Sequence, residues 1–153
     1  MEGRVTEEQV TKSILNWLEF NNWEIICFDF PQSGTGVILH PNEEFRTTKN
    51  KGSVIPDIVA IKDELVVFFE DKDNFVMDDF IKVDRLRTTN DYSDSIKRLL
   101  EGYKYSTIYY GVGLPFSKQI ETNCNKNLHL VDFVVFVSLD YSVWVKYQRT
   151  SIF

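Results

Sequence analysis

Cysteine and histidine are scarce in this chain of 153 residues, with two of each. Cys27 and Cys124 lie far apart without CxxC spacing, so neither a disulfide framework nor a zinc site is encoded. His40 and His129 are isolated and read as ordinary surface or core histidines rather than ligands. No apolar run reaches the roughly 18 residues that a membrane span demands. The opening Met1-Glu-Gly-Arg lacks the apolar segment of a secretory signal, which points to a cytoplasmic protein. Positive charge is also in short supply, with 17 Lys and Arg against 23 Asp and Glu, a net charge of −6. A nucleic-acid partner would then have to be met by local clusters of basic residues, by metal ions or by a second protein. Gln32-Ser-Gly-Thr-Gly36 is glycine-containing but lacks the GKS/T ending of a phosphate-binding loop. No convincing Ser-His or Cys-His pair suggests a nucleophilic side chain.

What the chain does have is a strongly apolar hairpin with acids at one end. Val54-Ile-Pro-Asp-Ile-Val-Ala-Ile leads through Lys62-Asp-Glu into Leu65-Val-Val-Phe-Phe-Glu-Asp-Lys72. Side chains alternate along a strand, so Asp57 shares a face with Val59 and Ile61, while Glu70 and Lys72 share one with Val66 and Phe68. A two-residue turn at Asp63-Glu64 pairs Lys62 with Leu65 and sets Asp57 opposite Glu70, with Cβ atoms about 4.5–5.5 Å apart. A three-residue turn would separate the two acids unless a bulge restored them. Facing carboxylates on an apolar hairpin are costly without compensation. A divalent cation with oxygen ligands supplies it. Asp71 points to the other face and is expected to matter less.

The remaining pattern is α/β, one domain over residues 1–153 with 43% hydrophobic residues. Thr6 and Gln9 form a capping-box pattern ahead of a helix carrying Val10, Ile14, Leu15, Trp17 and Leu18, ending near Phe20-Asn21-Asn22. Trp23 to Phe30 reads as a strand, and residues 37–53 as irregular and polar. After the hairpin, a short helix is expected around Asp78–Val83, and a second over Asp91–Leu100 with Ser93 or Asp94 as cap. Tyr105–Val112 reads as a strand, Phe116–Cys124 as a short helix, and Val131–Leu139 and Val143–Tyr147 as late strands.

Pro56-Asp57, twelve intervening residues, then Glu70-Asp71-Lys72 resembles the signature of the PD-(D/E)XK nuclease superfamily, which includes type II restriction endonucleases and archaeal Holliday junction resolvases. The resemblance implies a restriction endonuclease-like αβββαβ core, a mixed central sheet flanked by helices. It implies Mg²⁺ as cofactor, held by Asp57, Glu70 and the main-chain carbonyl of Asp71, with Lys72 positioning the attacking water. Many members add a glutamate from the first helix. Glu7, three residues before Val10 and seven before Ile14, fits that place, and Glu8 competes for it. Glu7 and the Gln32-Ser33-Gly34 loop resemble the resolvases, which marks Ser33 as a DNA-binding candidate. Two basic clusters flank the motif: Arg46, Lys49 and Lys51 before it, and Lys82, Arg85 and Arg87 after it. They are candidates for DNA contact or simply solvated loops.

By this resemblance the expected activity is Mg²⁺-dependent endonuclease cleavage of DNA. The enzyme would be a small type II restriction endonuclease or the cleavage subunit of one, working as a homodimer or as a heterodimer with a DNA-recognition subunit. A resolvase-like, structure-selective nuclease is the alternative, and an inactive protein-interaction module of the same fold is another. The site chemistry does not distinguish RNA from DNA.

Overall fold

The computed structural model describes residues 4–29, 39, 42 and 54–153. Ser33, Arg46, Lys49, Lys51 and His40 lie outside them, as does the glycine-containing loop. Among the described residues no helix is long and apolar enough to cross a membrane.

The chain opens with helix α1 (Glu7–Phe20), and its start follows the capping-box pattern. The Thr6 hydroxyl accepts from the Gln9 N–H at 3.2 Å, and the Gln9 side chain accepts from the Thr6 N–H at 2.9 Å. Two of the orphan donors of the first turn are thereby satisfied. The buried residues Val10, Ile14, Leu15 and Leu18 form one stripe. Strand β1 (Glu24–Phe28) follows after Asn22, whose φ of 69° reverses the chain.

Strands β2 (Ile58–Lys62) and β3 (Leu65–Asp71) form the anticipated hairpin. Asp63 and Glu64 both have positive φ, 50° and 67°, the conformation a two-residue turn needs to match strand twist. Lys62 pairs with Leu65 and Ile58 with Phe69, so the even-numbered register holds.

Helices α2 (Met77–Thr88) and α3 (Ser93–Leu99) carry the chain across to β4 (Thr107–Pro115), which runs parallel to β3. Helix α4 (Lys118–Asn125) and a 3₁₀ turn (Leu128–Leu130) form the next crossover to β5 (Phe133–Val137), parallel to β4. Parallel neighbours require such crossovers. Strand β6 (Val143–Gln148) returns antiparallel. Among the described residues the fold is thus mixed α/β, with four α-helices and a six-stranded mixed sheet in the order β1-β2-β3-β4-β5-β6.

Several boundaries differ from expectation, among them these three. Helix α2 is a full 12 residues rather than a short turn around Asp78–Val83. Its only buried apolar residues are Phe80, Val83 and Leu86, and Val76 provides no side-chain cap, so both signals of a helix are faint. Helix α3 is capped at Tyr92 without a side-chain bond, instead of at Ser93 or Asp94. Strand β4 continues past Val112 to Pro115, paired on both sides by β3 and β5.

The sheet buries both faces. Val59, Ile61, Val66, Phe68, Val112, Val134 and Phe136 face α2, α3 and α4, among them Phe80, Val83 and Ile96. Ile58, Ala60, Val67, Phe69, Phe133 and Val135 face α1 through Val10, Ile14 and Leu18. Each fully buried side chain of this size contributes about 1.5–3 kcal/mol. Phe153 closes the α1 face, stacking within 5.1–6.0 Å of Trp17, Trp23, Phe69 and Phe133. Of the late aromatics, Tyr110 is core, Trp144 packs on Phe116 and Phe136, and Tyr141 is exposed.

Candidate active site

The hairpin alternation places its acids. Because Val59, Ile61, Val66 and Phe68 share one core, the continuation of each strand directs Asp57 and Glu70 to that same face. Both are buried, at 9% and 8% exposure. Asp57 sits where β1, β2 and β3 meet. Its N–H donates to the Phe69 carbonyl at 3.0 Å and its carbonyl accepts from the Asp29 N–H at 2.9 Å. Its Oδ2 accepts from the Asp71 N–H at 2.7 Å. Burial, followed by repulsion from Asp71 and Glu70, pushes its pKa up to about 9 against the pull of that N–H.

Glu70 accepts from Lys82 Nζ at 3.2 Å. Burial still raises its pKa, outweighing the ammonium. The Asp71 side chain turns to the opposite face, as alternation requires. It is wholly buried against α1, where its Oδ2 accepts from the Thr11 hydroxyl at 2.9 Å. Its Oδ1 has no hydrogen-bond partner among the described residues, and burial holds its pKa well above the usual carboxylate range. Gly113, the β4 partner of Asp71, leaves the room it needs: a Cβ there would collide with Asp71 Oδ1 and Ile14 Cδ1. Asp71 is therefore a structural centre of this corner, its side chain packed on the face away from Glu70.

Lys72, one residue beyond β3, lies 3.9 Å from Glu7 Oε1. Both side chains are partly screened, at 35% and 27% exposure. Burial raises the Glu7 pKa and Lys72 opposes the rise. Glu8 instead reaches Lys12 on an exposed part of α1. Of the two acids in the first turn, Glu7 is the one the fold brings to the motif.

Helix α2 adds groups that the sequence pattern did not mark for this corner. Asp79 is buried, with Oδ1 3.7 Å from Lys82 Nζ and Oδ2 without a hydrogen-bond partner among the described residues. Burial raises its pKa, and Lys72 is the foremost charge acting against that. Lys82, a candidate for DNA contact, thus spans Glu70 and Asp79. The i, i+3 spacing of Asp79 and Lys82 was the available signal, hidden because α2 itself is weakly patterned.

The other basic candidates go elsewhere. Arg85 pairs with Asp91 at 3.0 Å and lies over the Tyr92 ring. Arg87 pairs with Asp84 at 2.9 Å and donates to the His129 and Leu130 carbonyls. Lys82, Arg85 and Arg87 are thus each engaged by an acid. Next to the site, a cavity of about 360 Å³ is lined by Arg4, Asp73, Asn74, Phe116, Gln119 and Leu139, among others.

The donors gathered here are oxygens, the set that a hard divalent cation takes. Among the described residues no group of three or more His, Cys, Asp or Glu side chains is assembled to hold an ion unaided. Mg²⁺ does not require one, since it is commonly bound by one or two carboxylates together with water and substrate phosphate. Asp57 and Glu70 suit that mode: they are adjacent and buried, and burial and crowding disfavour charge on Asp57 unless a cation is supplied.

No protein-family model matches the chain, and no curated protein matches its sequence.

Proposed function

We propose that the protein is a Mg²⁺-dependent endodeoxyribonuclease with a restriction endonuclease-like core, as the PD-(D/E)XK resemblance implies. One observation carries the reading: the fold gathers Asp57, Glu70, Lys72 and Glu7 at one corner of the sheet, while Glu8 is turned away. The strand order, with an antiparallel β1-β2-β3 meander followed by parallel β4, is consistent with the αβββαβ core.

In this reading Asp57 and Glu70 hold the ion, with the Asp71 carbonyl as a third donor. Bound there, Mg²⁺ would polarise the scissile phosphate and acidify a coordinated water. The chain's own residues do the rest. Asp71 fixes the carboxylate of Asp57 through its N–H, so the ligand is pre-aimed. Lys72 orients the water for attack on phosphorus from the side opposite the leaving oxygen, and Glu7 holds Lys72 in place. The P–O3′ bond breaks, leaving a 5′-phosphate and a 3′-hydroxyl. Cleavage of both strands calls for two such sites, hence a homodimer or a heterodimer with a recognition subunit.

The net charge of −6 favours a second reading, an inactive protein-interaction module. The deciding experiment incubates supercoiled plasmid, a four-way junction, single-stranded DNA and RNA with the protein in Mg²⁺ and in EDTA. Cleavage that needs Mg²⁺ and falls at least about a hundredfold in Asp57→Ala and Lys72→Ala supports the nuclease. No cleavage of any substrate, together with no metal binding, supports the module.

A further inference from the structure

Helix α2 sets a second ammonium, Lys82, on a carboxylate assigned to the metal. Lys82 Nζ is 3.2 Å from Glu70 Oε1 and 3.7 Å from Asp79 Oδ1. Its flexible stem comes from the solvent margin, with the side chain 36% exposed, whereas the two acids it joins are about nine-tenths buried. A divalent ion and an ammonium cannot share Glu70 at this distance without strong repulsion. Asp79 offers the ammonium another place. It lies one turn before Lys82 on the same helix, and its buried Oδ2 has lone pairs that no donor among the described residues satisfies.

Building on the nuclease reading of this site, we propose that Lys82 is a tethered counter-cation: it neutralises Glu70 in the metal-free protein and, when a divalent ion binds, moves to Asp79 or to an incoming phosphate. Three consequences follow from charge alone. Glu70 remains paired before the ion arrives, which holds the sheet corner together. Affinity for the ion is set by competition with Lys82. A phosphate that attracts Lys82 frees Glu70, so nucleic acid and metal bind with positive coupling, each strengthening the other.

The test titrates Mn²⁺ into the full chain by calorimetry, comparing wild type with Lys82→Met, Lys82→Gln, Lys82→Arg and Asp57→Ala, each checked for folding by circular dichroism. Lys82→Met and Lys82→Gln should bind Mn²⁺ roughly tenfold more tightly than wild type, because the competing charge is gone. Lys82→Arg should stay within about twofold of wild type. Using both neutral variants guards against a folding failure in one. If wild-type binding depends on Asp57 but the neutral variants bind no more tightly, or if Lys82→Arg tightens binding as much as they do, the counter-cation role is overturned and the nuclease reading stands. If neither wild type nor the neutral variants bind Mn²⁺, the counter-cation role is overturned, and the plasmid cleavage assay decides the nuclease reading separately.

Discussion

Two sets of buried acids sit in this one sheet, and they are treated differently. Asp132, just before β5, is 4% exposed and is satisfied by fixed donors. Arg149 Nε reaches its Oδ1 at 3.1 Å, Arg87 stands 3.9 Å from the same oxygen, and the Tyr110 N–H donates to its Oδ2 at 3.0 Å. Among the described residues the Asp57, Glu70 and Asp71 corner has no arginine as a partner. It has one backbone N–H on Asp57, one lysine on Glu70 and one hydroxyl on Asp71, whose Oδ1 is left unpaired. A guanidinium fork makes a permanent structural pair. A single lysine that reaches Glu70 from the solvent margin can give way to a visiting ion. Burial of a charge alone does not mark a site; burial without permanent compensation does.

The sharpest break between the two sets should appear on removing Asp132. Asp132→Ala leaves the buried Tyr110 N–H without its acceptor and takes the carboxylate away from Arg149 and Arg87. It should lower unfolding stability by about 3 kcal/mol, the low end for a broken buried ion pair because Arg149 is partly exposed. Urea denaturation at neutral pH measures this, and a loss no larger than that of a surface substitution would erase the contrast.

Asp57→Asn should do the opposite when metal is absent. The folded pKa of Asp57 is about 9, above the roughly 3.9 of an unfolded aspartate. The native state therefore holds its proton at pH values where the unfolded chain has released it. Stability is greatest below the unfolded pKa and is lost as pH rises toward the folded one. The substituted carboxamide carries no charge and can still accept the Asp71 N–H. In EDTA, the variant should gain on wild type between pH 5 and pH 8 by on the order of 1 kcal/mol per pH unit. Added Mg²⁺ should narrow the gap by stabilising wild type alone. Parallel stability curves would show that Asp57 is charged and compensated after all.

How much of this could be read from the chain depends on how local the cause is. The hairpin register was legible because turn length and strand alternation act over a few residues, Lys62 to Leu65. The cap of α1 was legible for the same reason. Helix α2 was faint, since Asp78, Asp79 and Asp84 interrupt its apolar positions and no side chain caps it. With α2 obscured, Asp79 could not be assigned to the site, and Lys82 could be read only by its charge. Arg87 resembled a candidate for phosphate contact because, besides the nearby Asp84, its partners Asp132 and the His129 and Leu130 carbonyls lie more than forty residues on. The turn of Asp71 away from Glu70 was readable, but its weight was not. That weight comes from Thr11 and from the space beside Gly113, which only the packed fold brings together.

The finest test lies within the first turn of α1, where two adjacent glutamates have different surroundings. Glu8 meets Lys12 in an exposed i, i+4 pair, while Glu7 meets Lys72 across the fold. Neither pair contributes much to stability, since solvent-accessible ion pairs are generally worth less than about 1 kcal/mol. Glu7→Gln and Glu8→Gln should thus unfold at nearly the same urea concentration. They should separate in Mn²⁺ titration and in plasmid cleavage. Glu8→Gln should match wild type in both, whereas Glu7→Gln should weaken ion binding a few-fold, by removing a negative charge beside the site, and slow cleavage further by releasing Lys72. Equal behaviour of the two variants would make Glu7 an ordinary first-turn acid favoured by the helix dipole, and the functional corner would then shrink to the hairpin and α2.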